Sequence, residues 1–340
     1  MSALPAPVRV DMGSSGLTKV VRSIQRLSYN LPVQSVLSSR APVVLLYHGV
    51  PRQSDDTCIN EVVLEQHIIF LKQYCDFVTY EQIGKRRKAL ERIRVLLSFD
   101  DGMRNHAAVV APILRRHRVP ALFFVCSRHA TPGKYLWFTY LRALEKHFAG
   151  NGFRFRGEFI DMTPAQRQAS VSRLWKLLLT LTPHPAAMYQ VIDQELPRLE
   201  DFISSHVIAD SYAGMTTEQV SEVAADPLFS VGIHTADHPF LTKCSTREAR
   251  DQIQRNKTWL ESACNRPCNM VAYPAGDYNR DVIEYTRNLG ITYGYAVTPN
   301  TNSDSLFEIP RFGIYATSLD LLGLKVHWGI HLRRLKVPVG

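Results

Sequence analysis

Short apolar runs recur along the chain and alternate with segments of helical periodicity. The runs are continuous, which is typical of strands buried on both faces. Their alternation with helices predicts an α/β fold with a largely parallel sheet or barrel. The strand-like runs are PVVLLY (42–47), IRVLLSF (93–99), PALFFV (120–125), FSVGI (229–233), NMVAY (269–273) and YGYAV (293–297). The helical segments are Glu61–Tyr74, His106–His117, Thr216–Ala225, Thr246–Cys264 and Arg280–Leu289.

Two stretches interrupt this alternation. Residues 132–215 contain helical pieces such as AQRQASVSRLWKLLLTL but no clear buried strand, so we expect a helical insertion there. Residues 17–27 place their apolar side chains on one helical face. This amphipathic helix would either pack on the body of the protein or contact a membrane.

The net charge of +9 is unevenly distributed. Net positive charge is concentrated in an N-terminal segment, 1–40, and in a C-terminal segment, 316–340, because both contain few acidic residues, while the body between them is nearly neutral. A nucleic-acid-binding protein would more naturally carry a basic stripe across its fold, so we expect no nucleic-acid partner. Basic ends suit an anionic membrane surface, although they are also typical of solvated tails.

Cysteine usage and the N-terminus suggest where the protein acts. The six cysteines are scattered and form no CxxC pair, which favours reduced thiols over a disulfide framework. The first residues lack the pattern of a secretory signal, and no apolar run reaches about 18 residues. We therefore expect a cytoplasmic protein that contacts the inner membrane face peripherally. The sequence leaves its oligomeric state open.

Two adjacent carboxylates, Asp100 and Asp101, directly follow the predicted strand 93–99. Ligands in α/β folds bind at the carboxyl ends of the strands. Neighbouring ionised carboxylates repel each other, and desolvation adds to the cost, so a bound cation would stabilise the pair. The alternative is that an aspartate caps the following helix, for which one aspartate would suffice.

Two histidines, His234 and His238, follow another predicted strand in the segment SVGIHTADHPF. Their spacing allows two imidazoles to share one ion. Pro239 disfavours helical geometry at His238, so we expect a tight turn. A single histidine here would more often be a surface or core residue. Two of them, together with the aspartate pair, predict a catalytic metal site with two histidines and one carboxylate.

At this point the motifs resemble those of the NodB-type polysaccharide deacetylases. SFDDG and HTADH carry the resemblance, and AYPAGDYN (272–279) and IPRFG (309–313) are similar to two weaker motifs of that family. The match implies a deacetylase domain over residues 41–315. The implied fold is a distorted (β/α) barrel of about seven strands, and the implied reaction is metal-dependent removal of acetyl groups from N-acetylated sugars.

The resemblance implies a role for each matching residue. Asp101, His234 and His238 would bind the metal, usually zinc, and Asp100 would be the general base. A divalent ion acidifies water and polarises an amide carbonyl, and a neighbouring carboxylate can take the water's proton. The metal and a backbone N–H near Tyr273 would hold the oxyanion.

Aromatic residues are the candidates for sugar contacts. Tyr273 and Pro274 would line the sugar pocket, although ordinary packing at a strand end explains them nearly as well. The insertion could supply a lid or a sugar platform through aromatic residues near its start, among which we assign Trp137 to the substrate site. Packing in the core is the alternative for these residues as well.

The chain departs from the family pattern around the expected base. Ala272 stands where an arginine commonly precedes the YPxG segment, so Arg311 is the nearest candidate to orient Asp100, unless it is an exposed arginine. Ala275 stands where the family often has an aromatic residue, which should widen the pocket.

The general acid is not identified by a motif. No LxH pattern is clear near the C-terminus, where KVHWGIH offers only His327 and His331 in the basic segment. His48 follows the first predicted strand in LLYHGV, and related proteins carry YH at this place. We therefore expect His48 to have a polar role in the site.

These expectations favour a hydrolase that deacetylates the amino sugars of a polysaccharide or of a lipid-linked glycan precursor, as in exopolysaccharide biosynthesis. An O-acetyl esterase or a small-amide hydrolase would use the same site. A glycan-binding assembly protein without catalysis is a further alternative, but binding alone does not require a base beside the metal.

Overall fold

The computed structural model describes residues 41–52, 59–85, 92–297, 305–315 and 317–332. The amphipathic helix expected at residues 17–27, and the basic N-terminal segment that contains it, lie outside the described residues. None of the described helices combines the length and the apolarity needed to cross a membrane.

The centre of the molecule is a parallel β-barrel. Its strands belong to the series β1 Val43–Tyr47, β2 Cys75–Phe77, β3 Ile93–Phe99, β4 Ala121–Val125, β5 Gly152–Phe155, β6 Glu158–Asp161, β7 Phe229–Ile233, β8 Met270–Ala272, β9 Tyr293–Ala296 and β10 Ile309–Gly313. The sheet runs in the order β1-β10-β9-β8-β7-β4-β3, and β3 pairs again with β1. Seven parallel strands therefore form a closed barrel, as expected, and β2 joins β3 from outside.

Both faces of the barrel strands are apolar, which explains the continuous hydrophobic runs. In β1, Val43, Leu45 and Tyr47 pack beneath the surrounding helices. Val44 points the other way, into the barrel, and lies opposite Leu96 of β3. The interior cluster consists mainly of alternate strand residues, namely Val44, Leu96, Leu122, Phe124, Met270, Ala272, Tyr295 and Ile309.

Ten helices are described: α1 Glu61–Tyr74, α2 Ala111–His117, α3 Trp137–His147, α4 Arg167–Leu181, α5 Pro185–Gln190, α6 Ser205–Ser211, α7 Thr217–Ala225, α8 Thr246–Cys264, α9 Arg280–Asn288 and α10 Leu319–Leu332. The helix expected at 106–117 begins with a π-helical turn over His106–Val110. Several helices begin at a side-chain cap. Asn60, Ser245 and Asn279 each accept a backbone N–H three residues on, which accounts for their sharp starts.

The stretch 132–215 is largely helical, from α3 to α6, but it also contains the antiparallel hairpin β5–β6. Arg156 and Gly157 join these strands, and both have a positive φ, as a two-residue hairpin turn requires. The insertion has its own buried cluster, which includes Trp137, Leu141 and Leu174. It is therefore a packed unit rather than a long loop.

The described part of the basic C-terminal segment is helical. Leu322 and Val326 of α10 are buried in the same cluster as the outward-facing residues of β1. Leu322 and Val326 thus anchor this helix on the barrel.

Candidate active site

The carboxyl end of β3 delivers both aspartates to the top of the barrel. Asp100 shares the inner face with Ser98, because strand side chains alternate. The chain then turns through two left-handed residues, Asp101 with a φ of 78° and Gly102 with a φ of 71°. A Cβ on Gly102 would lie 2.6 Å from Cγ1 of Val125, so the close approach requires glycine. This turn separates the two carboxylates into different environments.

Asp100 is ion-paired inside the barrel. Arg311 of β10 donates from its two terminal nitrogens to the two carboxylate oxygens, at 2.6 and 2.7 Å. Both residues are buried. Burial acts to raise the pKa of Asp100, but the Arg311 guanidinium and His234 outweigh it and hold the pKa below its usual value. Asp100 is therefore an oriented, ionised carboxylate, and Arg311 lies where the sequence predicted an orienting group.

Asp101, His234 and His238 converge at one point. Their candidate ligand atoms all lie within 4.8 Å of one another, and all three residues are buried. Oδ1 of Asp101 lies 3.5 Å from Nε2 of His234 and 3.6 Å from Nε2 of His238. Ligands ~2.0–2.1 Å from a tetrahedral zinc ion lie about 3.3–3.4 Å apart. The two distances from Asp101 therefore match a shared ion, and the two imidazole nitrogens lie within 4.8 Å of each other.

The electrostatics of these atoms also fit a cation. Oδ1 of Asp101 is buried and has no hydrogen-bond partner among the described residues. Nδ1 of His234 lies 2.8 Å from the carbonyl oxygen of Ala272, so this nitrogen carries a proton, and Nε2 is the atom directed at the carboxylate. Burial acts to lower the pKa of His234, but Asp100 and Asp101 raise it above its usual value. These carboxylates therefore favour a positive charge at Nε2, which a proton supplies in the metal-free chain and a divalent ion would supply when bound.

His238 is suited to act as a neutral ligand. Burial, reinforced by the neighbouring His234, lowers the pKa of His238 to about 4, so its imidazole is neutral at pH 7, as metal ligation requires. The indole N–H of Trp137 donates to the carbonyl oxygen of His238 at 3.4 Å. The ring of Phe138 lies 4.7 Å from the His238 ring, between centroids. The first turn of α3 therefore supports this ligand.

His48 borders the site from the end of β1. It lies close enough to Asp100 and Asp101 to interact with both charges. Its ring stacks on Tyr315, with centroids 5.8 Å apart and planes 22° apart, and Tyr315 is 63% exposed. Nδ1 of His48 is buried and has no hydrogen-bond partner in the described part of the chain. His48 thus borders the carboxylates, and its polar role in the site stays a prediction.

The predicted sugar-binding residues are buried. Tyr273 is fully buried, its ring stacks 4.5 Å from that of Tyr278, and its N–H donates to the carbonyl oxygen of Tyr295 at 3.1 Å. The N–H of Tyr273 is therefore engaged in the sheet, and an oxyanion donor among the backbone N–H groups near Tyr273 stays a prediction. Pro274 is buried beside it, and the contact of both residues with a sugar stays a prediction.

Trp137 is also buried, with only 2% of its surface exposed, and belongs to the hydrophobic cluster of the insertion. Trp175 of α4 packs on it with centroids 4.7 Å apart and is 39% exposed. The outward-facing aromatic ring of this pair is thus Trp175, which the sequence pattern did not single out. Tyr315 was missed as well, because no motif marks it. The side chains of His327 and His331 lie outside the described part of the chain.

Comparison with known families agrees with this geometry. A family model described as polysaccharide deacetylase matches residues 87–150 and 200–294. The chain belongs to the polysaccharide deacetylase family. The matched segments contain both aspartates and both histidines of the site, and the gap between them falls inside the insertion. The protein is accordingly an enzyme of the deacetylase class.

Solved structures share the fold of this deacetylase. IcaB from Ammonifex degensii is 19% identical, with a TM-score of 0.54, over 85% of this chain and 98% of that one. The Streptococcus pyogenes deacetylase PplD, in complex with acetate, is 17% identical, with a TM-score of 0.51, over 81% and 92%. The BpsB deacetylase domain from Bordetella bronchiseptica is 17% identical, with a TM-score of 0.50, over 82% and 97%. No curated protein matches the chain.

Proposed function

We propose that the protein is a divalent-metal hydrolase that removes N-acetyl groups from the amino sugars of a polysaccharide or of a lipid-linked glycan precursor. The convergence of Asp101, His234 and His238 beside the ion-paired Asp100 carries this proposal. Two imidazoles and one carboxylate form a donor set typical of catalytic zinc, so zinc is the ion we favour.

Amide hydrolysis needs two proton transfers, one from the water and one to the leaving amine, and we assign them to different residues of the chain. When bound, a divalent ion would acidify water and polarise the acetamido carbonyl. Asp100 accepts a proton from the water, whose oxygen forms the new bond to the carbonyl carbon. Arg311 fixes both oxygens of Asp100, so the base is oriented before the substrate arrives. The C–N bond then breaks, and the amine nitrogen needs a proton.

His48 is the group that we assign to this second transfer. It borders the two carboxylates, and its ring stacks on that of Tyr315. A protonated imidazole can donate to the leaving amine, which yields a free amino sugar and acetate. Acetate is present in the structure of PplD, and its release is the reaction expected here.

Zinc dependence and acetate release test the proposal together. The full chain is stripped with a chelator, reloaded with zinc and assayed for acetate release from chitooligosaccharides and from an O-acetylated sugar. We expect release from the N-acetylated substrate only when zinc is restored. Undiminished release without metal contradicts the proposal. Glycan binding with no release by the zinc-loaded protein would favour the non-catalytic alternative.

A ligand variant with a matched control ties this activity to the site. We expect His234→Ala to lose both bound zinc and acetate release, because it removes one of three protein ligands. His117 pairs with Glu65 at the surface of α2, and His117→Ala should retain zinc and activity. Retention of stoichiometric zinc by His234→Ala would refute the ligand assignment.

We further propose that the enzyme works in the cytoplasm, at the inner membrane face. This proposal is supported by the excess of basic over acidic residues in segments 1–40 and 316–340. Such segments are attracted to anionic lipid headgroups. Contact with the membrane would bring the site close to a lipid-linked substrate.

A further inference from the structure

The loop that carries both histidine ligands has an unfavourable backbone conformation. Thr235 and His238 have φ values of 64° and 53°. Residues other than glycine rarely adopt this left-handed region, and a β-branched residue such as threonine does so least readily. The local bond from the His238 N–H to Oγ1 of Thr235, at 3.1 Å, satisfies only one donor. Such a loop persists only where its surroundings hold it in place.

Helix α8 supplies that support through two neutral amide side chains. Gln252 and Asn256 are fully buried and lie four residues apart, on one face of the helix. Oδ1 of Asn256 accepts the N–H of His234 at 2.9 Å. The backbone oxygen of Gln252 accepts the N–H of Ala236 at 2.9 Å, and its Oε1 accepts the N–H of Asp237 at 2.8 Å. Three of the loop's backbone donors are thus bound to one helix.

The orientation of the Gln252 side chain is itself fixed. Its Nε2 donates to Oδ2 of Asp237 at 2.8 Å and to Oε1 of Glu248 at 3.1 Å. Arg255 adds a bond to the same Asp237 oxygen at 3.0 Å, but from the exposed side of the helix. A buried amide is costly unless it is hydrogen-bonded, and here both polar atoms of the Gln252 side chain have partners. These bonds hold the side chain in a single orientation.

We propose that Gln252 and Asn256 are positioning residues that hold His234 and His238 at the separation needed to share one ion. Neither amide contacts the point where the three ligand atoms converge. They act through the backbone of the loop, so their removal should weaken metal binding rather than alter the chemistry. Outer partners of metal ligands typically contribute about 10- to 100-fold in metal affinity. This inference rests on the proposed metal-dependent function.

Zinc affinity of the full chain, measured by competition with a chromogenic chelator, tests the inference. Gln252→Met keeps the length of the side chain and removes both its donor and its acceptor. We expect its affinity to fall about 10- to 100-fold. The control is Gln254→Ala, since Gln254 lies on the exposed face of the same helix and bonds to Thr258. It should bind zinc like the wild type.

Melting of the metal-free protein separates positioning from a purely structural role. If Gln252→Met lowers the melting temperature of the metal-free chain but binds zinc as tightly as the wild type, the inference is overturned. At saturating zinc, the turnover of Gln252→Met should return close to that of the wild type, because the base and the ligands are intact. Turnover that stays low at saturating zinc would assign Gln252 to the chemistry and contradict the inference.

A milder variant keeps the test decisive if Gln252→Met does not fold. Asn256→Leu replaces asparagine by a side chain of nearly the same size and removes only the hydrogen bond to the His234 N–H, whereas Gln252→Met removes three side-chain bonds. We expect the zinc affinity of Asn256→Leu to fall several-fold, and unchanged affinity would overturn the inference. If the wild type itself binds no zinc, both the proposed function and this inference fail. If the wild type binds zinc and the variants bind equally well, only the inference fails.

Discussion

Replacing Arg311 by methionine tests the most specific electrostatic feature of the site. Arg311 and Asp100 are 2% and 3% exposed, and the two bonds between them are 2.6 and 2.7 Å long. Methionine fills part of the space but leaves Asp100 buried without a counter-charge. Removing one partner of a buried ion pair costs about 3–5 kcal/mol. We therefore expect Arg311→Met to lower the free energy of unfolding of the metal-free protein by this amount at pH 7.

The dependence of this loss on pH follows from the pKa of Asp100. In the wild type this pKa is lowered, so the ion pair stabilises the fold above the ordinary aspartate pKa, and this stabilisation disappears as the pH falls through the lowered value. Without Arg311, burial is less opposed, the pKa of Asp100 rises, and the folded variant takes up a proton at higher pH. The stability difference should therefore be largest near neutral pH and decrease towards pH 4.

The rate of acetate release should reflect the same rise in the pKa of Asp100. Because the general base must be ionised, the acid limb of the rate of acetate release should move to higher pH in Arg311→Met. Urea unfolding, followed by circular dichroism at several pH values, gives the stability, and acetate release gives the rate profile.

An exposed ion pair provides the control for this experiment. Arg115 pairs with Asp226 and is 45% exposed, so Arg115→Met should cost no more than about 1 kcal/mol and leave the rate profile unchanged. If Arg311→Met loses no more stability than Arg115→Met, and its acid limb does not move, the role assigned to the buried pair is refuted.

Three further predictions concern the base, the membrane and the substrate. Asp100→Asn should retain zinc, measured by metal analysis, and lower the rate of acetate release by about 10²- to 10⁴-fold, and a wild-type rate would contradict the assignment of the base. Deleting residues 1–40 should reduce co-sedimentation with vesicles that contain anionic lipid, and unchanged binding would exclude this segment as the contact. Trp175→Ala should raise KM for chitooligosaccharides by about two- to tenfold, because it removes a ring contact worth ~0.5–1.5 kcal/mol. Phe159→Ala removes an exposed ring elsewhere on the insertion and should leave KM unchanged.

Much of the fold was predictable because the signals are local. The helices at 61–74 and 246–264 agree with the structure at both ends, since an apolar periodicity and a capping side chain mark each of them. Strand β10 was recognised only as a motif. Its sequence, IPRFG, contains a proline, a charge and a glycine, so its composition does not indicate a strand. It becomes one because β1 and β9 provide partners on both sides.

Substrate contacts were the least predictable part of the site. Trp137 is an aromatic residue near the start of the insertion, and the sequence does not show whether such a ring faces a sugar or the core. In the structure it is buried and supports His238, while the neighbouring Trp175 is half exposed. Exposure depends on which helices pack together, and the pattern of one helix does not contain that information.

The amino-acid sequence alone specified which groups could carry the chemistry. Two aspartates and two histidines follow apolar strands, and strands of a parallel barrel bring such ends together. For the groups that tune them, the motifs offered Arg311 as a candidate only, and the tertiary structure decided which residues reach the site. Arg311 reaches Asp100 across 211 positions because β10 closes the barrel against β1, and β1 pairs with β3. Gln252 and Asn256 reach the histidine loop because α8 packs against β7. These contacts depend on closure and packing between distant segments, for which a linear pattern has no signal.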